Sequence, residues 1–446
     1  MLWTRRIRRN VGWKTLGVAA EKSLRFLLVA LISRALGVKM YGQYTYAVAL
    51  ALLWVQMTDM GLGLFLAREV SRHEVPPAKL IGHVFTIKMA LALAYILVVA
   101  GLTWWHFADP EFKETATFHP RPGALGWTVA LTGLSGLAAS TIEAMWQVFR
   151  GVQQLGLEAK SSSVFAGAQL ACVSLALAVL PTMPKVANDK GYTMVLIAAA
   201  MLVASLVALA YTAMLLFRVV TPKLGWSRPM LQRFAREVLP LGVAIVASLI
   251  YFKIDVPMLR MLRGDVDVGL YNAAYKVLEN LSVVPAILMA ATFPALVQKI
   301  QDDPVGAAKL HAATRRVLLV AGLAGALVLL ALPELLIRIL NGDAFLGAVP
   351  VLRALAPSVV LTFVNYLETH MLVAMGLVRA QMAFALALIA VNVTANLAFI
   401  PLWGGVGSAC ATALTEVVLL WFCVRLVRKE LGQRVATAMP AEAVPA

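Results

Sequence analysis

Long apolar runs separated by short polar segments dominate the pattern of hydrophobic and polar positions along this chain. About twelve of these runs reach the roughly 20 residues that an α-helix needs to cross the hydrocarbon core of a bilayer. Their predicted boundaries are 14–36, 41–66, 80–106, 125–149, 161–182, 192–218, 238–262, 269–297, 314–340, 348–375, 378–401 and 404–427. The pattern predicts an all-α polytopic membrane protein with about twelve transmembrane helices and no large soluble insert.

The longest polar connection on the side of the N-terminus, 219–237, divides six predicted spans from six. Halves of six spans share one orientation in the membrane, so we expect a parallel repeat. Short matches at nearly the same separation support a duplication, because Gly42-Gln43-Tyr44 resembles Gly269-Leu270-Tyr271 about 227 residues later. The predicted segments are an N-terminal six-helix lobe at 1–218, a cytoplasmic linker at 219–237, a C-terminal six-helix lobe at 238–430 and a disordered tail at 431–446.

Composition supports a membrane protein and limits the other classes. The chain is 61% hydrophobic and 14% charged, whereas soluble proteins are about 25% charged. Its net charge of +16 comes from Lys and Arg that mostly flank the apolar runs, which argues against nucleic-acid binding. The positive-inside rule places both termini in the cytoplasm. The basic N-terminus shows no small-residue cleavage site, so no removable signal peptide is expected.

Ionisable residues lie inside the predicted spans, most densely in the hairpin 251–298. Each charge facing lipid near the bilayer centre would cost about 2.5–3.5 kcal/mol. Lys253, Asp255, Lys276 and Glu279 must therefore face one another, water or a ligand. Lys276 and Glu279 are three residues apart, so they share one helix face and can pair.

Four basic residues within the spans are the candidates for substrate binding. Arg25, Lys88, Lys253 and Lys276 would line a central cavity between the two halves if each basic face turns inward. Such a cavity suits a diphosphate, because Lys binds phosphate as a point charge and Arg binds it as a fork. The alternative is that each cation is merely paired with an acid.

Asp255, Asn392, Asn396 and Thr412 are the candidates for ion binding or coupling. A carboxylate, two amide oxygens and a hydroxyl are hard ligands that suit Na⁺, and Asp255 alone would suit a proton. The alternative is a set of hydrogen bonds between membrane helices. No other metal and no cofactor is expected, since the cysteines and histidines show no ligand spacing.

Further acids within the spans are assigned to gating or helix packing. These residues are Asp59, Glu143, Glu279 and Glu368, and Glu416 is a related intramembrane acid. The alternative for Glu143, Glu368 and Glu416 is a proton relay. Nucleotide-binding and zinc-protease motifs are absent from the sequence, so we do not expect an enzyme.

Several motifs, taken in order, resemble one transporter family. They are Ser33-Arg34-Ala35-Leu36-Gly37, Tyr41-Gly42-Gln43-Tyr44, Asp59-Met60-Gly61-Leu62, the stretch from Val268 to Lys276, Pro350-Val351-Leu352-Arg353, and Ile400-Pro401-Leu402-Trp403-Gly404. Their order and spacing are similar to the polysaccharide transporter, or oligosaccharide flippase, family of the multidrug/oligosaccharidyl-lipid/polysaccharide (MOP) flippase superfamily. Twelve spans suit this branch.

The resemblance implies a MATE-like fold of two lobes in the bacterial inner membrane. It implies a flippase that moves an undecaprenyl-diphosphate-linked oligosaccharide to the outer leaflet for polysaccharide synthesis, such as that of lipopolysaccharide O-antigen. A polysaccharide polymerase is the expected protein partner, and an ion gradient or the membrane potential the expected driving force. The ion-site residues resemble the sodium site of the related lipid II flippases. Two alternatives are a cation-coupled multidrug exporter and a membrane polysaccharide polymerase or ligase.

Overall fold

A computed structural model describes residues 5–72, 77–108, 123–182, 189–238 and 253–438, with four further positions between 239 and 252. The regular structure in these ranges is helical, and no strand occurs among them. The predicted all-α fold is therefore confirmed. The chain forms two compact units, Met1–Lys253 and Ile254–Ala446.

The first unit contains seven α-helices within the described residues. They are α1 (Arg5–Asp59), α2 (Leu62–Arg72), α3 (Pro77–Ala108), α4 (Gly123–Gly151), α5 (Leu155–Val179), α6 (Lys190–Phe217) and α7 (Arg228–Arg233). A core of buried side chains from α2, α3, α4 and α6 includes Phe65, Ile81, Ile142, Phe149 and Leu216. Buried hydroxyls join α4 to α6, where Ser135 Oγ lies 2.8 Å from Ser205 Oγ, as is common between membrane helices.

The second unit also contains seven α-helices within the described residues. They are α8 (Asp255–Arg263), α9 (Asp265–Leu281), α10 (Val283–Asp302), α11 (Pro304–Ala331), α12 (Pro333–Leu340), α13 (Val349–Ala374) and α14 (Val378–Ala438). Helix α14 continues past residue 431, where the tail was predicted to begin. Arg434 holds this end, because its Nη2 donates to the Met375 carbonyl at 3.2 Å and to Glu430 at 2.8 Å. Residues 439–446 lie outside the described residues.

Glycines break the helical path at corresponding points of the two units. Gly37 interrupts α1 with φ 72° and ψ 173°, and Gly264 separates α8 from α9 with φ 89° and ψ −175°. This region of backbone space is essentially restricted to glycine. The two positions are about 227 residues apart, the separation that the sequence repeat predicts. The shared conformation supports a duplicated half.

Eight segments among the described residues are long and apolar enough to cross a membrane. One of them, Ala383–Thr437, has 55 residues, and α14 is broken inside it at Gly404. At 1.5 Å per residue a straight helix of this length would be more than twice as long as the hydrocarbon core is thick. One segment can therefore cross the membrane more than once, so the number of segments is not the number of crossings. The predicted number of twelve transmembrane helices is not confirmed. The predicted span 238–262 lies partly outside the described residues.

Exposed apolar stripes follow the outer faces of the long helices. On α3, Met89, Leu93 and Leu97 are spaced by one turn and are each at least 60% exposed. Val320, Leu323 and Leu327 form a similar stripe on α11. Apolar faces of this length are not tolerated in water, so they are the surfaces that contact lipid.

The predicted linker packs on the first unit. The Lys223 N–H donates to the Ala78 carbonyl at 2.8 Å, and a Cβ added at Gly82 would lie 1.8 Å from the Lys223 carbonyl oxygen. Arg233 Nη2 lies 2.8 Å from a carboxylate oxygen of Glu69, whose side chain is buried. Glycine at position 82 thus permits the close approach, and the ion pair holds α7 against α2.

Candidate functional site

Asp255 lies at the start of α8 and is buried in the second unit. Its Oδ1 accepts the N–H of Val256 at 2.9 Å, and its Oδ2 accepts the hydroxyl of Tyr271 on α9. The Tyr271 oxygen also lies 3.4 Å from Oγ1 of Thr412 on α14. The predicted ion-site carboxylate is therefore joined to Thr412 through a tyrosine.

The two asparagines of the predicted ion site continue this network along α14. Asn396 donates its Nδ2 to Oδ1 of Asn392, and its own Oδ1 accepts the hydroxyl of Ser408, both at 3.0 Å. The Ser408 carbonyl accepts the Thr412 hydroxyl at 3.0 Å. In a straight helix, residues 396 and 408 would be about 18 Å apart along the axis. The break at Gly404 turns the helix back and brings them together.

The structure thus places all four predicted ion-site residues, Asp255, Asn392, Asn396 and Thr412, in one hydrogen-bonded network. Asp255, Asn392 and Asn396 are buried, and Thr412 is half-buried. The donor set consists of carboxylate, amide and hydroxyl oxygens, which suits a hard monovalent cation. The described residues contain no group of three or more His, Cys, Asp or Glu that could hold a metal ion. The donor set fits Na⁺ better than a transition metal.

Helix α9 connects this network to a predicted substrate residue. The rings of Tyr271 and Tyr275 stack with their centroids 5.5 Å apart and their planes 27° apart. Lys276 follows directly and pairs with Glu279 one turn further on. Both side chains of this pair remain about one third exposed, at 35% and 33%. The predicted pairing of Lys276 with Glu279 is present, and the pair is open to its surroundings.

Arg25 of α1 is paired in a similar way in the first unit. Its Nε lies 2.9 Å from Oε1 of Glu21, four residues earlier on the same helix face. The guanidinium also lies over the ring of Phe165 on α5, 5.6 Å from the ring centroid. The Arg25 side chain is 41% exposed, so the ion pair does not enclose it.

Lys88 has a different environment from the other predicted substrate residues. Its Nζ lies 3.2 Å from Oδ1 of Asp59 and 2.8 Å from Oγ of Ser140. The Lys88 side chain is only 3% exposed. Asp59 was predicted to serve gating or packing, and its contact with Lys88 fits packing. The pairing of Lys88 with Asp59 was not predicted, because the two residues lie on different helices.

Lys253 lies at the end of the first unit and is half-buried. Its predicted role in substrate binding stays a prediction. The structure describes Lys253 but few of the residues just before it.

The remaining predicted acids are paired within their own units. Glu143 lies 3.2 Å from Nη1 of Arg150 and accepts the Nε2 of Gln147 at 3.3 Å. Glu368 is fully buried, and both of its carboxylate oxygens lie 3.2 Å from Nε2 of His311. Arg315 approaches the same carboxylate at 3.6 Å. Glu143 therefore links successive turns of α4, whereas Glu368 links α13 to α11.

Two polar clusters contain residues that were not predicted from the sequence. Tyr271 and Ser408 complete the network around Asp255. Asn365 donates to the Glu416 carboxylate at 2.6 Å, near the contact between His311 and Glu368. Position 365 precedes Glu368 by one helical turn, so the spacing of polar residues on α13 was the available signal.

A helical fold with exposed apolar stripes and buried polar networks defines a multi-pass membrane protein. Residues 7–299 match the family described as "Polysaccharide biosynthesis protein". The chain belongs to this family, and the predicted family resemblance is confirmed. No curated protein matches the chain in sequence.

Solved structures share the fold at low sequence identity. An inward-facing multidrug resistance transporter of the MATE family has a TM-score of 0.75 and 14% identity, over 96% of this chain and 100% of the transporter. The lipid II flippase MurJ in an inward closed conformation has a TM-score of 0.71 and 12% identity, over 94% of this chain and 89% of MurJ. A MOP superfamily transporter from Pyrococcus furiosus, described as having a binding pocket of reversed polarity, has a TM-score of 0.59 and 14% identity, over 95% and 96% of the two chains.

Proposed function

We propose that this protein is a flippase, not an enzyme. It moves a lipid-diphosphate-linked oligosaccharide from the cytoplasmic to the outer leaflet of the bacterial inner membrane, by alternating access. Membership of a polysaccharide biosynthesis family supports the saccharide cargo. The fold shared with a lipid II flippase supports the lipid carrier. The product outside would supply cell-surface polysaccharide synthesis.

The main support for this proposal comes from two partly exposed cations, Arg25 in the predicted span 14–36 and Lys276 in the apolar segment Asp265–Asp302. Arg25 and Lys276 each pair with one acid on their own helix, and each keeps about one third or more of its side chain exposed. Placing an ionised group within the bilayer costs free energy, and the ionised groups found there commonly mark ligand pathways. A phosphate oxygen can replace the carboxylate on either cation, because guanidinium and ammonium groups bind both anions by charge-assisted hydrogen bonds.

The other two predicted substrate residues differ in what the structure offers them. Lys253 is half-buried, and we propose that it contributes to binding of the diphosphate. Lys88 is enclosed by Asp59 and Ser140, so a phosphate would have to displace a buried ion pair to reach it. We propose that Lys88 and Asp59 brace the first unit, and that Lys88 makes no contact with the substrate.

The Asp255 network supplies a means of coupling transport to an ion gradient. If Na⁺ binds there, Asp255, Asn392, Asn396 and Thr412 would hold it, and the ion would carry one positive charge through the cycle. Each charge that crosses the membrane contributes about 2.3 kcal/mol per 100 mV of membrane potential. This driving force requires no nucleotide-binding domain.

Depletion of the protein in cells tests the proposed cargo. We expect completed lipid-linked oligosaccharide to accumulate on the cytoplasmic side, because its synthesis continues while its export stops. Leaflet location can be measured by whether an impermeant periodate reagent oxidises the sugars in intact cells. Short unpolymerised chains on the outside would instead indicate a polymerase or ligase. Normal saccharide levels with lost efflux of cationic drugs would indicate a multidrug exporter.

A further inference from the structure

We propose that Tyr271 competes with the coupling cation for Asp255. Its hydroxyl occupies the carboxylate oxygen that a bound Na⁺ would take, and it leaves that oxygen when the ion binds. This inference rests on the proposed role of Asp255 in cation coupling. It adds a positioning residue that links the cation site to Lys276.

Both oxygens of the Asp255 carboxylate already accept hydrogen bonds. The Val256 N–H donates to Oδ1 at 2.9 Å, and the Tyr271 hydroxyl donates to Oδ2. The hydroxyl hydrogen carries a partial positive charge, so it repels a cation that binds the same carboxylate oxygen, even though that oxygen has two lone pairs. The backbone N–H is fixed by the turn that begins α8, whereas a hydroxyl rotates about a single bond. Tyr271 is therefore the donor that can give way.

An alternative acceptor for the Tyr271 hydroxyl is within reach. The Thr412 Oγ1 lies 3.4 Å from the Tyr271 oxygen, and the Thr412 hydroxyl is directed to the Ser408 carbonyl. The Thr412 oxygen therefore keeps a lone pair that can accept from Tyr271. A rotation of the tyrosine hydroxyl from Asp255 towards Thr412 exposes Oδ2 to a cation without leaving a buried donor unsatisfied.

The same arrangement recurs at the two asparagines. The Oδ1 of Asn396 accepts from Ser408, and the Oδ1 of Asn392 accepts from Asn396. Each of these oxygens thus already accepts a hydrogen bond from the chain itself. Tyr271 is the donor on the charged member of this set.

The exchange of hydrogen bonds at Tyr271 can affect Lys276, because both residues lie on α9. Tyr271 is fully buried and stacks on Tyr275, which directly precedes Lys276 on α9. Occupancy of the cation site exchanges a hydrogen bond from α9 to Asp255 on α8 for one to Thr412 on α14, which changes the restraint on the helix that carries Lys276. By thermodynamic linkage, a phosphate bound at Lys276 changes Na⁺ affinity by the same factor as Na⁺ changes phosphate affinity.

Na⁺-dependent thermal stability of the purified full-length protein in detergent micelles tests the competition without a transport assay. NaCl is titrated against choline chloride at constant ionic strength, and a ligand that binds the folded state raises the unfolding midpoint. The Tyr271→Phe variant removes the competing hydroxyl and keeps the ring. We expect its half-effect NaCl concentration to fall about tenfold, the usual effect of one hydrogen bond to a charged group.

Two further variants test whether the effect is specific to the Tyr271 hydroxyl and to the Asp255 carboxylate. Tyr275→Phe makes the same substitution one turn away, and its NaCl titration should match the wild type. Asp255→Asn should abolish the response to NaCl. In the wild type, ultraviolet resonance Raman spectra should show a tyrosine losing its strong acceptor when NaCl is added. The same spectral change should be absent in Asp255→Asn.

An unchanged NaCl titration in Tyr271→Phe would overturn the inference, and so would a weaker response, which would make the hydroxyl a ligand. A wild type that does not respond to NaCl would also overturn it. In that last case, oligosaccharide flipping driven by a membrane potential alone in vesicles would leave the proposed function intact.

Discussion

Lys88 of α3 and Asp59 at the end of α1 form an ion pair inside the first unit, with Nζ 3.2 Å from Oδ1. Removal of one partner leaves the other charge without compensation in a low-dielectric region. We expect Asp59→Ala to lower the free energy of unfolding by about 3–5 kcal/mol, because Lys88 is almost completely buried. Unfolding in mixed micelles with increasing dodecyl sulfate measures the change.

The double variant Asp59→Ala/Lys88→Met is the informative companion. It should recover most of the stability, since no charge remains buried. Lys299→Ala is the matched control, because its pair with Asp303 is about half exposed and should contribute less than about 1 kcal/mol. Equal losses in Asp59→Ala and the double variant would show that Lys88 is not stranded, and the bracing role would be abandoned.

Glu368 binds α13 to α11 through His311 and Arg315 in the second unit. Because its side chain is fully buried, we expect Glu368→Ala to lower the free energy of unfolding by about 3–5 kcal/mol. Glu368→Gln should cost less, since an amide oxygen still accepts from His311. Glu334→Gln is the control at an exposed pair, 4.0 Å from Arg353. A loss for Glu368→Ala as small as for that control would contradict a structural role.

Gly37 and Gly264 should both resist substitution by alanine. Their φ values of 72° and 89°, with ψ near 180°, lie where a Cβ is strained even though open space surrounds both positions. We expect each alanine variant to cost about 1–3 kcal/mol of unfolding free energy. Gly167→Ala, in the helical backbone of α5 with nothing nearby, should be neutral or slightly stabilising. Neutral Gly37→Ala and Gly264→Ala variants would remove the evidence for equivalent breaks.

Asp303 gives the start of α11 a pH dependence. The Gly306 N–H donates to its carboxylate at 2.8 Å and Lys299 lies 3.1 Å away, so the pKa of Asp303 falls below its ordinary value of 3.8. The contribution of this cap is present above the ordinary value and is lost as pH falls through the lowered one. Asp303→Asn should remove the pH dependence and keep the cap. Amide exchange of residues 305–308, compared at equal intrinsic rates, measures the stability of this cap. Identical acid sensitivity in the wild type and the variant would rule out the role of Asp303.

Polar residues inside apolar runs made part of the site predictable from sequence. Asp255, Asn392, Asn396 and Thr412 stand out because hydrocarbon excludes unpaired polar groups. Their convergence depends on the break at Gly404, which turns α14 back. Tyr271 was not predicted as a member, because a tyrosine in a membrane helix is more often a packing residue with one polar end.

Pairs between helices were beyond the reach of the sequence. Lys276 with Glu279 and Arg25 with Glu21 follow from helical spacing and were predictable. Lys88 with Asp59, and Glu368 with His311, depend on which helices pack together. No periodicity encodes that packing. The all-α fold was predictable for the opposite reason, since its signal is repeated in every apolar run.

The most direct test of the central claim is flipping by the purified protein in sealed vesicles that contain a polyprenyl-diphosphate-linked oligosaccharide. Appearance of the sugar in the opposite leaflet is followed with an impermeant enzyme that labels it. We expect Lys276→Ala and Lys253→Ala each to reduce the rate about tenfold, because each variant loses one charge-assisted hydrogen bond to the diphosphate. Both should keep insertion and the unfolding midpoint, and Lys299→Ala should flip at the wild-type rate. Wild-type rates in both Lys276→Ala and Lys253→Ala would contradict the claim that these cations carry the phosphorylated saccharide across the membrane.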